Sequence, residues 1–162
     1  MELSLAVGER ARNTALLVVP CPPDVRQAGR TLTPELVEVI TEFADGAGSA
    51  RLIAGIVGNS VGAHLAFALA PSLAVRRLAT LAGVGMIEAV EREGLAASME
   101  EVACYSNYND PAREQTLELV AWLHERRVPA RFVSRAGGHG FIDYLANGTI
   151  REALRFVACR SN

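Results

Sequence analysis

The sequence predicts an α/β protein, a three-layer α/β/α sandwich around a mostly parallel sheet, folded as one domain over residues 1–162. Three observations predict it. Short apolar runs of strand length alternate with longer segments of helical periodicity, the pattern of strands joined by crossover helices. Half of the 162 residues are hydrophobic and 21% are charged, the balance of a chain with one packed core. No internal repeat, low-complexity tract or linker interrupts the alternation.

Residues 3–7 and 15–19 read as strands, and Pro20, Pro22 and Pro23 then break the chain. A helix is predicted over 34–44, with Thr33 as N-cap, Pro34 at the first helical position and Leu36, Val37, Ile40 and Phe43 as one apolar stripe. The run 51–57 predicts a buried strand, and Gly58-Asn59-Ser60-Val61-Gly62 turns the chain into a helix over 63–70. A strand at 78–81, a helix over 86–93 and a strand at 102–105 follow. The loop 106–110 leads into a helix over 111–127, with Leu117, Val120 and Leu123 inward, and 131–134 is the last strand. A closing helix is expected from about Ile150, with Thr149 and Glu152 in the spacing of a capping box.

A net charge of −2 and the lack of a basic stretch argue against nucleic acid or an anionic membrane as partner. No apolar run reaches membrane-spanning length, and the first residues lack the pattern of a signal peptide. Cys21, Cys104 and Cys159 are widely spaced, which predicts free thiols in a reducing, cytoplasmic setting. No His or Cys pair has metal-ligand spacing, and no cofactor or metal is expected.

Gly58-Asn59-Ser60-Val61-Gly62 is a G-x-S-x-G pentapeptide between a buried-type strand and a small-residue helix. Nucleophilic catalysis wants a serine on such a sharp turn, lifted above the sheet. The flanking glycines are expected where a Cβ would collide with neighbouring backbone. The Val61 amide would face a developing oxyanion, and the following helix start adds a favourable field. His139, in Gly138-His139-Gly140 after the last strand, is the candidate base. His64 reads as a packed residue and His124 as a surface one.

Asp110 stands where an acid that orients the base belongs, on the loop after the 102–105 strand. Asp-Pro is also a common helix start, with Asp as N-cap. Glu114, one turn further on, is the alternative acid, whereas Asp143 sits too close to His139 in sequence. Tyr105, Tyr108, Phe141 and Tyr144 are candidates to line a pocket.

The order Ser60, Asp110, His139 resembles the α/β-hydrolase superfamily. Residues 34–40, Leu52-Ile53-Ala54-Gly55 with the pentapeptide, and Gly137-Gly138-His139-Gly140-Phe141 with Tyr144 are similar to the esterase family that includes esterase D and the enterochelin-esterase-like proteins. Dienelactone-hydrolase-like proteins are the second resemblance. It covers about residues 33–158 and implies a compact, lid-less α/β-hydrolase fold with a shortened N-terminal half. The second oxyanion donor in this family lies on a loop after an early strand, and here that loop would be at Gly8 or Cys21.

The resemblance implies a serine hydrolase that cleaves a carboxylic ester, or thioester, of a small acyl substrate through an acyl-enzyme on Ser60. An acyltransferase would use the same residues. The alternative is a catalytically silent domain that binds a ligand or partner. The alternation of residues 3–7 and the few strands before Ser60 predict a homodimer formed through the N-terminal edge or the helices beside it; the alternative is a monomer whose edge is kept soluble by Glu2, Glu9 and Arg10.

Overall fold

The structure, a computed structural model, describes residues 25–46 (side chains from Pro34), 53–83, 87–88, 91, 94–95 and 99–158. Four strands, β1 (Gly55–Asn59), β2 (Arg77–Leu81), β3 (Glu101–Tyr105) and β4 (Ala130–Val133), form one parallel sheet in the order β1-β2-β3-β4. The described helices are α1 (Val25–Gly46), α2 (Val61–Leu69), α3 (Arg113–Glu125), α4 (Phe141–Ala146) and α5 (Thr149–Ala158).

Side chains alternate across the strands and build a core on each face. Leu78, Val102 and Cys104 meet Ala63, Ala66 and Phe67 of α2 and Leu119 and Leu123 of α3. Ala79, Leu81, Ala103 and Tyr105 meet Ile150, Ala153, Phe156 and Val157 of α5 on the opposite face. These are the three expected layers. Helix α1 lies outside them, its Leu36, Val37 and Ile40 packed on Leu65 and Leu69 of α2.

The register aligns the C-terminal ends of all four strands. Asn59 pairs with Leu81, Leu81 with Tyr105, and Tyr105 with Val133. The ladder runs one residue further: the Ser60, Ala82 and Ser106 amides donate to the carbonyls of Leu81, Tyr105 and Val133. The segments that leave β1, β3 and β4 therefore start on one rim, as parallel topology dictates for loops that build a site.

Several sequence expectations are corrected. The helix expected from Pro34 begins at Val25, so Thr33 is not its N-cap and Pro34 is internal. Helical backbone thus forms upstream of a proline whose missing N–H costs one intrahelical bond. Phe43 is exposed rather than inward. Strand β1 starts later than expected and runs through Asn59. Thr116 and Leu119 join Val120 and Leu123 on the buried stripe of α3, whereas Leu117 is only half-buried.

The capping box does not form. Asn147 Oδ1 accepts the Thr149 amide and hydroxyl, and Glu152 turns to Arg135. Helix α4 was not expected. Strands 3–7 and 15–19, with Gly8, Cys21 and Cys159, lie outside the described residues; of the helix over 86–93, only Ile87, Glu88 and Glu91 fall inside them and are helical.

Candidate active site

Ser60 sits between β1 and α2 with φ 50° and ψ −117°, a positive-φ backbone conformation rare for a residue with a Cβ. Such strain costs about 1–3 kcal/mol and persists only where the surroundings impose it. Here two bonds impose it. The Ser60 amide donates to the Leu81 carbonyl at 2.7 Å, and its carbonyl accepts the Ala63 amide at 3.0 Å. The tight crossing also needs Gly58: a Cβ there would lie 2.6 Å from the Ala63 Cα and from the Gly62 carbonyl oxygen. Gly62 differs from expectation, since nothing described lies within 4 Å of a Cβ at that position.

His139 is carried on the loop after β4, and Asp110 on the loop after β3. Ser60 Oγ lies 3.3 Å from His139 Nε2, and His139 Nδ1 lies 2.9 Å from Asp110 Oδ1. The three residues expected to act together are therefore brought together from three strand ends. The His139 side chain is 41% exposed while that of Asp110 is 0% exposed, so one end of the relay meets solvent and the other is sealed. A carboxylate only accepts, which puts the imidazole proton on Nδ1 and leaves Nε2 free to accept from the Ser60 hydroxyl.

Burial by itself would raise the Asp110 carboxyl. Hydrogen bonds from Tyr144, His139 and the Ala112 amide outweigh it and hold the group below its ordinary value, hence ionised. The Ala112 amide reaches Asp110 Oδ1 at 2.7 Å. Asp110 thus faces His139 and caps the turn that leads into α3 at the same time. Glu114 is on the first turn of α3, exposed and ion-paired with Arg113.

The polar framework of the two loops was missed by sequence reasoning. Tyr144 Oη donates to Asp110 Oδ2 at 2.5 Å and accepts the Asn107 amide at 3.1 Å. Asn107 Nδ2 donates to the Gly138 carbonyl at 2.9 Å, tying the acid loop to the residue before His139. Asn147 Nδ2 donates to Asn107 Oδ1 at 2.9 Å and to the Ala136 carbonyl at 2.8 Å. Gly137, at φ 136°, makes room for this strap: a Cβ there would lie 2.9 Å from Asn107 Nδ2. A cluster of Asn in loops flanking the candidate acid and base was the signal available.

One other expectation changes. Of the four aromatics expected to line a pocket, Tyr105 and Tyr144 are buried in the core, and only Tyr108 and Phe141 are exposed. Burial pushes the Cys104 thiol up to about 12, which makes it unreactive. His124 is exposed, its Nε2 2.7 Å from the Ala130 carbonyl. Val61 opens α2 directly after Ser60, so its amide belongs to the first turn, where N–H groups have no intrahelical acceptor.

The parallel sheet with helices on both faces is the α/β-hydrolase fold. Solved structures sharing it include an S-formylglutathione hydrolase from Staphylococcus aureus, with 12% identity, a TM-score of 0.64, and coverage of 83% of this chain and 64% of that one. A carboxylesterase from Bacillus cereus matches with 20% identity, a TM-score of 0.57, and coverage of 78% and 60%. An esterase from Pyrobaculum calidifontis matches with 13% identity, a TM-score of 0.57, and coverage of 78% and 59%. This chain has the α/β-hydrolase fold, and it spans less than two thirds of the length of these structures. No protein-family model matches the chain, and no curated protein matches it in sequence. No helix among the described residues is long and apolar enough to cross a membrane.

Proposed function

We propose that this chain is a serine hydrolase that cleaves a carboxylic ester, or thioester, of a small acyl substrate. One observation carries the reading: Ser60 Oγ lies 3.3 Å from His139 Nε2 while the buried Asp110 holds Nδ1 at 2.9 Å. A half-buried serine in strained backbone gains nothing for folding from a histidine oriented in this way, whereas acyl transfer requires it.

Ser60 Oγ attacks the acyl carbonyl carbon and passes its proton to His139 Nε2. Asp110 stays ionised and stabilises the imidazolium. The Val61 amide donates to the oxyanion. The tetrahedral adduct expels the alcohol or thiol, which takes the proton from His139. Water, deprotonated by His139, then attacks the acyl-enzyme, and the acid leaves with Ser60 restored. The second oxyanion donor is assigned to Gly8 or Cys21, both outside the described residues. The free, buried Cys104 suits a reducing compartment such as the cytoplasm.

Hydrolysis of p-nitrophenyl acetate tests the reading. Ser60→Ala should lower kcat by about 10⁴-fold or more with little change in melting temperature. Equal turnover by wild type and Ser60→Ala refutes it. A folded wild type without turnover leaves the silent binding domain.

A further inference from the structure

The mechanism above gives Tyr144 no task, yet this side chain is fully buried beside the acid. It is the buried residue of α4, whose Phe141, Ile142 and Leu145 are exposed. We propose that Tyr144 is a positioning residue that locks the Asp110 carboxylate in the orientation aiming Oδ1 at His139; the inference rests on the reading of Ser60, His139 and Asp110 as a catalytic triad.

The hydrogen-bond directions leave little freedom. The Asn107 amide can only donate, so Tyr144 Oη accepts from it at 3.1 Å. The single phenolic proton then goes to Asp110 Oδ2, 2.5 Å away. Asp110 Oδ1 is already engaged by His139 Nδ1 at 2.9 Å and the Ala112 amide at 2.7 Å. A carboxylate held at both oxygens cannot rotate about its Cβ–Cγ bond without breaking a charge-assisted hydrogen bond inside a sealed site.

A phenylalanine would fill the same space. It would leave the buried Oδ2 and the Asn107 amide without this partner, so packing alone does not require the hydroxyl. Tyr144 also follows His139 by little more than one helical turn, across the Gly140 N-cap. The loop after β4 and the helix it leads into therefore carry the base and the clamp on the acid. Among the contributions that oppose burial at Asp110, the hydrogen bond from Tyr144 is the largest. Burial, together with the hydrogen bond to Asp110, pushes the Tyr144 phenol above its ordinary value, so it keeps the proton it donates.

Tyr144→Phe in the full chain tests the proposal. With p-nitrophenyl acetate, kcat should fall about tenfold or more at unchanged KM. The titration midpoint of the Asp110 carboxyl, read by carbon-13 NMR, should move up. In an Asp110→Asn background the same substitution should cost less than about twofold, because Tyr144 acts through Asp110. If Tyr144→Phe does not fold, 3-fluorotyrosine at 144 keeps the hydroxyl, and its more acidic phenol should move the Asp110 midpoint down. An unmoved midpoint with kcat retained, or a fully additive loss in the double variant, overturns the role of Tyr144. Wild type that is inactive and unlabelled by a fluorophosphonate at Ser60 removes the triad reading itself, a distinct failure.

Discussion

Two alanine substitutions four residues apart should have opposite effects, because only one of the glycines is confined. A Cβ on Gly58 would lie 2.6 Å from the Ala63 Cα, 2.6 Å from the Gly62 carbonyl oxygen and 2.9 Å from the Ala63 amide nitrogen. Carbon contacts are comfortable at about 3.5–4.0 Å, so β1 and α2 must part by about 1 Å. The obstructing atoms are all backbone, and no side chain can swing away. The cost should sit at the upper end of the overpacking range, about 3 kcal/mol. For a chain of this size that corresponds to roughly 6–12 °C in Tm. The displaced α2 carries the Val61 amide, and a misplacement of about 1 Å at a catalytic group costs about a hundredfold in rate. Gly62→Ala adds a methyl group where nothing among the described residues lies within 4 Å, at the start of the same helix, where alanine is favoured over glycine by up to about 1 kcal/mol. Thermal unfolding of both variants, followed by circular dichroism, reads the difference. A Gly58→Ala protein as stable as wild type, or a Gly62→Ala protein destabilised as much as Gly58→Ala, would refute the steric account of the turn.

Asp110→Asn should lower kcat by about 10³–10⁴-fold, since the amide no longer fixes the imidazole tautomer, while Glu114→Gln should behave as wild type; the reverse result in ester hydrolysis moves the acid to Glu114. The Asp110 carboxyl is held below its ordinary value of 3.8, so its contribution to stability is complete above that value and is lost as pH falls through the lower, folded one. Urea unfolding between neutral pH and pH about 3 should therefore show a steeper acid loss in wild type than in Asp110→Asn, and parallel curves would contradict the assignment. Light scattering at micromolar concentration should give a dimer that deletion of residues 1–8 weakens; a monomeric mass in a still-folded protein, unchanged by the deletion, would count against the N-terminal edge as interface.

The parts of the fold that depend on local chemistry were legible. Strands β2, β3 and β4 showed as apolar runs with clear breakers, and the residues just beyond β1, β3 and β4 were the ones singled out as Ser60, Asp110 and His139. Their meeting follows from parallel topology, which puts those loops on one rim. What escaped was long-range or short in extent. Helix α4 has six residues and a single buried side chain, too little for a period to emerge. The bonds from Asn107 to Gly138 and from Tyr144 to Asp110 span more than thirty residues and join loop positions to each other and to a six-residue helix, none of which carries a hydrophobic pattern. Thr149 and Glu152 had the right spacing for a capping box, but Asn147 supplied the acceptor first and Arg135 drew Glu152 away. Pro34 read as a helix start because its ring suits that position; the helical backbone that precedes it has no signature that outweighs a proline.

The most direct test of the account is covalent labelling of the full chain by a fluorophosphonate, mapped by peptide mass spectrometry. The probe phosphonylates a serine only where a base removes its proton and donors receive the developing charge. The account predicts a single adduct on the peptide containing Ser60, absent from Ser60→Ala and strongly slowed in His139→Ala. A folded wild-type protein that takes no label, or a label that persists in Ser60→Ala, would contradict it.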